Sequence, residues 1–365
     1  MTMTDMLWRL LRISISLAIF VLAVSWTVSL ALLVAGCRPG QDVKVTDLVS
    51  EPIHFAGEDS LLFRFPSKIR IFDTLAIVQT RNDEMLQIFR YPEFEYQASV
   101  GRRGRGAGEI LGISAFEVIG DTLSLMEMAS KSIYGYSLRD VFDARKEPSS
   151  IRAYRELRGP LLSCDFGESD IVSVYASSDS RLSVMSRDGS GLRNSSYGMM
   201  EDKTGVSEKI PPEYLPTLWQ SVLAYDAGAG VAASATMLGD VIEIFDVSDM
   251  SRKAVVGSGG FPNVYKDGAS VSVGRIDGYF DIVIDDARIY ALYSGADRKE
   301  QSRLNRGGED VPYGGDIVRV YDFGGTLLEE YHLDRHVCSI CIDSPLSRIV
   351  AIDSNSENIF CSFKF

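Results

Sequence analysis

A glycine-rich stretch with three arginines is the first place where this sequence could carry chemistry. It reads VGRRGRGAGEIL and runs from Val100 to Leu111. A phosphate-binding loop needs a lysine and then a Ser or Thr at fixed spacing, because the lysine contacts the phosphates and the hydroxyl binds the metal. This stretch has neither residue. Because Arg102, Arg103 and Arg105 are bracketed by glycines, we interpret it as a solvated loop, with contact to an acidic ligand as the alternative.

Acidic residues offer a second kind of chemistry, as acid–base groups or as ligands of a divalent cation. The candidates are Asp165, Asp285, Asp286 and Asp353. Each lies where a strand-like segment turns, and Asp is favoured in turns because its carboxylate hydrogen-bonds nearby backbone. We therefore interpret all four as turn residues. Paired carboxylates for catalysis need a separation that sequence does not give.

Thiols and imidazoles are the remaining candidates. Cys338 and Cys341 form a CxxC within the alternating run HVCSICID, where positions three apart point to opposite faces of a sheet. Without a second CxxC or a histidine cluster, two buried thiols are favoured over a metal or redox pair. The disulfide status of these two, Cys164 and Cys361 stays open. The three histidines, His54, His332 and His336, lie in or beside strand-like segments, which disfavours a zinc site. The sequence predicts no catalytic, cofactor-binding or metal-binding residue.

The first 37 residues predict export and membrane attachment. Residues 13–36 carry no charge and follow Arg9 and Arg12, as in an export signal. Their length would also allow a bilayer-spanning anchor, which is the alternative. The run ends in LVAGC, which resembles the lipobox of bacterial lipoproteins. The resemblance implies a signal peptide at 1–36, an acylated Cys37 carrying palmitate-type chains, and a tether at 37–49.

The charge of the chain disfavours one class of partner. The net charge is −13, and removing Asp5, Arg9 and Arg12 with the signal peptide makes it −14. Nucleic acid binding depends on clustered Lys and Arg, so nucleic acid is not an expected partner.

A repeated pair of short alternating strands organises the rest of the chain. Valine, isoleucine, tyrosine and phenylalanine are prominent at alternate positions, as expected for strands in packed sheets. The first strands begin at Asp73, Asp121, Asp170, Gly230, Ala287 and Ser347, and the second strands are MLQIFRYP, SIYGYSLR, RLSVMSRD, DVIEIFDV, DIVRVYDF and NIFCSFKF. Spacings of roughly 50–60 residues between repeats suit four-stranded propeller blades.

Three segments interrupt or complete this repeat. The run PPEYLPTLWQSVLAYD from Pro211 has apolar residues at helical spacing and predicts a helical excursion that packs on the sheets. The polar insert from Ser294 to Asp316 is interpreted as a long loop. Because the chain stops at Phe365 after a second strand, we expect PIHFAG and LLFRFPSKIRIF to supply the outer strands of the last blade and close the ring.

The glycine linker, with glycines at 101, 104, 106 and 108 followed by Glu109, resembles the linkers of TolB-like and NHL-like six-bladed β-propellers. The resemblance spans about residues 50–365 and implies an all-β, six-bladed propeller. It implies no activity and no cofactor, because its motifs are structural.

The sequence therefore predicts a bacterial cell-envelope lipoprotein, anchored by its lipid to a membrane. The outer membrane is expected, with the propeller on its periplasmic or surface face. The propeller is interpreted as a binding module for an envelope protein or a glycan. The alternative is a propeller enzyme, of lyase or lactone hydrolase type, with a divalent cation in the central channel.

Overall fold

Consecutive antiparallel sheets make up the part of the chain that the structure describes. The structure is a computed structural model, and it describes residues 43–55, 63–127, 129–155, 157, 161–175, 181–190, 192–197, 215–249, 251–267 and 270–365. Residues 44–365 form one compact unit. The expected signal peptide and Cys37 lie outside the described residues.

Six of the sheets are the blades of a propeller, and each blade is ordered from its inner to its outer strand. Blade one consists of β3 (Lys68–Phe72), β4 (Leu75–Gln79), β5 (Glu84–Arg90) and β6 (Glu95–Arg102). Blade two consists of β7 (Ala115–Ile119), β8 (Thr122–Glu127), β9 (Ser132–Ser137) and β10 (Ser150–Ala153). Blade three consists of β11 (Leu161–Phe166), β12 (Asp170–Tyr175), β13 (Leu182–Ser186) and β14 (Leu192–Tyr197).

Blades four to six follow the same order. Blade four consists of β15 (Ser221–Asp226), β16 (Val231–Thr236), β17 (Val241–Asp246) and β18 (Arg252–Val256). Blade five contains β21 (Tyr279–Asp285), β22 (Arg288–Tyr293), β23 (Gly315–Asp322) and β24 (Leu327–Val337). Blade six contains β25 (Ser339–Asp343), β26 (Arg348–Ile352) and β27 (Phe360–Lys364). The short strands β1 (Lys44–Leu48), β2 (Ser50–Pro52), β19 (Val264–Asp267) and β20 (Ser270–Val273) complete the set.

The six strand pairs expected from sequence are the two middle strands of each blade. Middle strands are covered by neighbours on both edges and both faces, so their residues are the most buried; β16, for example, is buried along its whole length. Burial on both faces makes these strands the most apolar and the easiest to recognise. The six-bladed expectation is confirmed.

The N-terminal segment closes the ring by joining two blades. Strand β2 pairs antiparallel with β27 and gives blade six its fourth strand, so the expected N-terminal closure is confirmed, although β2 overlaps PIHFAG only at Pro52. Strand β1 pairs in parallel with β24, which the sequence did not predict and which lies within the segment expected to be a tether. The expectation for LLFRFPSKIRIF was wrong, because β3 is the inner strand of blade one and β25 is the inner strand of blade six.

The expected helix from Pro211 was also largely wrong. Residues 211–214 lie outside the described part, helix α2 covers only Leu215–Leu218, and β15 follows as the inner strand of blade four. Leu218 and Trp219 are buried against the sheets, so the expected packing is confirmed for them. The remaining helices are α1 (Leu138–Phe142) and α3 (Arg298–Arg306), with a 3-10 helix at Ser344–Leu346.

Arginines bridge neighbouring blades around the ring. Arg319 of blade five donates to Asp240 of blade four at 2.8 Å and lies over the Tyr293 ring at 3.9 Å. Arg348 of blade six donates to Tyr91, in the turn between β5 and β6 of blade one, at 2.6 Å. Such charge-assisted contacts fix one blade against the next where side-chain packing alone would allow sliding.

Long connections lie on one face of the propeller. Because neighbouring strands are antiparallel, the link between the second and third strands and the link to the next blade share a face. We call this the insert face. It carries α3, between β22 and β23, and the β19–β20 hairpin, between blades four and five. The opposite face carries mostly short turns, with α1 as its longest described insertion.

Phe55, three residues after the end of β2, anchors the closing segment. Its side chain is 3% exposed, and its ring centroid lies 4.5 Å from that of Phe360 and 4.6 Å from that of Phe89. The segment therefore packs onto blades six and one together.

Replacing Phe55 with alanine should lower the free energy of unfolding by about 3–5 kcal/mol, because a large buried phenyl group is removed from the place where the propeller closes. Urea unfolding measures this. Val49→Ala is the control, since Val49 is 74% exposed and should change stability by less than about 0.5 kcal/mol. Equal stability of the two variants would show that this segment does not hold the ring closed.

Candidate functional site

The central channel collects charged side chains from the inner strands of several blades. Strand β3 contributes Lys68 and Arg70, which face the same side because alternate residues of a strand do so. Strand β7 contributes Glu117, and β11 contributes Asp165. These four line a cavity of about 180 Å³.

An ion pair fixes Arg70 in the channel wall. Its guanidinium donates to both carboxylate oxygens of Asp281, from β21, at 3.1 and 2.8 Å, and to the carbonyl of Ile340 at 2.9 Å. Asp281 also accepts from the Ser339 hydroxyl at 2.7 Å. Burial acts to raise the pKa of Asp281, but Arg70 and the hydrogen bonds hold it below its usual value. The positive charge of Arg70 is therefore neutralised inside the wall.

Asp165 is bound to the backbone. Its oxygens accept from the amides of Phe166 at 2.9 Å and Tyr225 at 3.0 Å. The interpretation of Asp165 as a turn residue was wrong, because it lies within a strand and faces the channel. Burial raises its pKa, and the charge of Lys68 works against that rise.

Lys68 and Glu117 are the two ionisable side chains of the cavity whose contacts differ from those of Arg70 and Asp165. Within the described part of the chain, neither makes a hydrogen bond or an ion pair. Burial and then the charge of Arg70 lower the pKa of Lys68. Burial, with a contribution from Asp165, raises the pKa of Glu117 to about 8. Below about pH 8 the cavity therefore presents a protonated carboxyl that donates a hydrogen bond, beside a lysine whose pKa is lowered by burial.

The other acidic candidates have separate roles. Asp285 ends β21, lines the cavity and accepts from the Ser344 hydroxyl. Asp286 is a turn residue with φ of 44°, as expected. Asp353 is buried, accepts from the Asn355 amide at 2.8 Å and pairs with Arg335 at 3.3 Å. Both Asp286 and Asp353 are structural, while Asp285 belongs to the channel.

The thiols and histidines do not form a common site. All four described cysteines are free, and of these only Cys341 lines the cavity. Cys341 is buried and Cys338 half-buried, so the expectation of two buried thiols is confirmed only for Cys341. His332 lies 2.8 Å from Glu330, and His336 lies 3.8 Å from Asp316. Among the described residues, no group of three or more His, Cys, Asp or Glu could hold a metal ion. The enzyme alternative stays a prediction.

The glycine-rich stretch is an ordered linker between blades one and two. Glu109 accepts from the Gly106 amide at 2.8 Å and lies 3.4 Å from Arg102, so the acidic residue of the stretch folds back on it. Gly101 and Gly108 have φ of 79° and 77°, which other residues rarely adopt. Ile110 is fully buried beneath. The interpretation as a connecting loop agrees with these contacts.

Comparison with protein families assigns the fold to a family. The chain matches the family described as TolB-like 6-blade propeller-like over residues 49–345. It belongs to the TolB-like six-bladed propeller family. No curated protein matches it significantly.

Two solved structures are similar to this TolB-like propeller at low sequence identity. U3-55K is 9% identical, with a TM-score of 0.50, over 87% of this chain and 98% of that one. A Bacteroides fragilis protein provisionally described as exported is 11% identical, with a TM-score of 0.49, over 88% of this chain and 99% of that one. The similarity to U3-55K shows the fold alone.

Among the described residues, no helix is long and apolar enough to cross a membrane.

Sequence reasoning missed the channel residues Lys68, Arg70, Glu117 and Asp281 of this TolB-like propeller. A signal was present in KIRIF, where two cations alternate with isoleucines in a short strand. It could be read only after that strand was placed on the channel, and the sequence-based placement put it in the last blade instead.

Proposed function

We propose that this chain is a lipid-anchored protein of the bacterial cell envelope and that its propeller is a binding module. A rigid scaffold with its long connections gathered at one face is the usual arrangement for recognition. The observation that carries the proposal is the position of α3 and the β19–β20 hairpin on the same face of the ring. The expected partner is an envelope protein or a glycan.

The anchor proposal rests on residues 13–37 of the sequence. An uncharged run that ends in LVAGC supports cleavage before Cys37 and acylation of its thiol. Each buried methylene contributes about 0.8 kcal/mol, so two or more chains give stable attachment. Strand β1 begins at Lys44, seven residues later, so the tether is short. The outer membrane is the proposed site.

Helix α3 is an exposed, charged element of the insert face. Helix α3 carries several exposed charges, including a Glu300–Arg303 pair at 2.6 Å, and no residue of it is buried. A helix that buries nothing contributes little to the propeller core. Its charged side chains are therefore available to a partner.

Substitution of Cys37 by alanine should abolish incorporation of radiolabelled palmitate in growing bacteria, because the acylated thiol is removed. The wild-type chain should carry the label and lack residues 1–36 by mass spectrometry. Cys338→Ala is the control and should keep the label. A labelled Cys37→Ala variant, or an unlabelled wild-type chain that retains residues 1–36, would contradict lipid anchoring.

A photo-crosslinking residue at Glu309 should capture an envelope partner in living cells, because Glu309 is exposed on the insert face. The same residue at Glu168 is the matched control, since Glu168 is exposed in a turn on the opposite face. Discrete adducts at 309 and none at 168 are expected. Adducts at 168 alone would place recognition on the wrong face for this proposal.

A further inference from the structure

We propose that the channel cavity binds a small organic carboxylate, with the Lys68 ammonium as its ionic partner and the Glu117 carboxyl as its hydrogen-bond donor. The inference deepens the proposed binding function and rests on it. It assigns a ligand class to the channel, whereas the insert face concerns a macromolecular partner.

Of the two described cations that line the cavity, one makes no ion pair with a described residue. Arg70 is paired with Asp281 through two hydrogen bonds. Both oxygens of Asp165 are consumed by backbone amides, and Asp165 makes no ion pair with Lys68 among the described residues. Lys68 therefore lines the cavity with no hydrogen bond or ion pair to any residue that the structure describes. An ammonium that is half-buried without a partner is costly, and an anion that enters the cavity relieves that cost.

The hydrogen bonds and the charges favour a monoanion over other ions. A divalent cation would lie beside Lys68 and Arg70, and the carboxylates in and beside the cavity already accept hydrogen bonds, namely those of Asp165, Asp281 and Asp285. A phosphate dianion would bring two negative charges near these carboxylates, and among the described residues of the cavity Lys68 alone is a cation without an ion pair. A carboxylate brings a single charge and two acceptor oxygens, which fits one ammonium and one O–H donor.

The walls and the volume favour an organic ligand of limited size. Phe116, Leu223 and Val283 line the cavity beside its polar groups. Apolar walls with a few converging polar groups are typical of small-molecule sites. A cavity of about 150 Å³ accommodates a benzene-sized molecule, so 180 Å³ admits a carboxylate with up to about one six-membered ring.

Glu117 gives the site a pH dependence. Below about pH 8 it is protonated and donates; above that pH it is ionised and repels a bound carboxylate. Affinity should therefore fall as pH rises through about 8. Loss of the Lys68 proton at high pH acts in the same direction, since its pKa is lowered. The titratable groups that line the cavity with Glu117 are Lys68 and Arg70 on β3, Asp165 on β11, Tyr225 on β15, Asp285 on β21, and Cys341 on β25.

Calorimetric titration of the full chain in detergent tests this. The probes are acetate and benzoate, each against its neutral amide, acetamide or benzamide, at constant ionic strength. Benzoate should bind and benzamide should not. Lys68→Met should weaken benzoate binding at least tenfold, while Lys253→Met, which removes an exposed lysine of β18, should leave it unchanged. Melting temperatures of the unliganded variants confirm that each is folded.

Glu117→Gln keeps a hydrogen-bond donor and removes the ionisation. Its affinity for benzoate at pH 6.5 should lie within about threefold of the wild-type affinity. As pH rises through 8, the affinity of this variant should fall less than the wild-type affinity does, because no carboxyl at position 117 ionises.

Binding of the amides as strongly as the acids, absence of binding by both carboxylates, or wild-type affinity in Lys68→Met would each overturn the inference. Labelling at Cys37 and crosslinking at Glu309 do not involve the channel. Failure here would therefore remove the carboxylate and leave the anchored binding module standing.

Discussion

The ion pair between Arg70 and Asp281 joins three blades at the point where the ring closes. Arg70 comes from blade one, Asp281 from blade five, and the Ile340 carbonyl and Ser339 hydroxyl that complete the network from blade six. The side chains are 16% and 5% exposed. Two charges removed from water to this extent are tolerated only when their hydrogen bonds are satisfied, so this contact fixes the relative positions of all three inner strands.

The N-terminal strands pair with the outer strands of two of these blades. Strand β1 extends blade five, β2 completes blade six, and Phe55 packs against rings of blades six and one. The ring is thus held from inside by charge and from outside by strand pairing and aromatic packing. Because Asp281 is paired with Arg70, Lys68 makes no ion pair within the described part of the chain, and the proposed carboxylate site rests on that imbalance.

The sequence predicted the repeats and failed on the strands that define the channel. Middle strands such as β16 are buried on both faces and give continuous apolar signals. Inner strands face the channel on one side, so β3 alternates charged and apolar residues and was assigned to the wrong blade. Asp165 was taken for a turn residue because only the three-dimensional ring shows that its strand borders a polar cavity. Helix α3 was missed because none of its residues is buried, so it has no apolar stripe to recognise.

A double-mutant cycle on Arg70 and Asp281 tests this account most directly. Free energies of unfolding would be measured for wild type, Arg70→Met, Asp281→Asn and the double variant. Each single change should cost about 3–5 kcal/mol, since it leaves a buried charge uncompensated. The double variant should cost less than the sum, by a coupling of roughly 1–3 kcal/mol. Additive effects, or single variants as stable as wild type, would contradict the central role given to this pair.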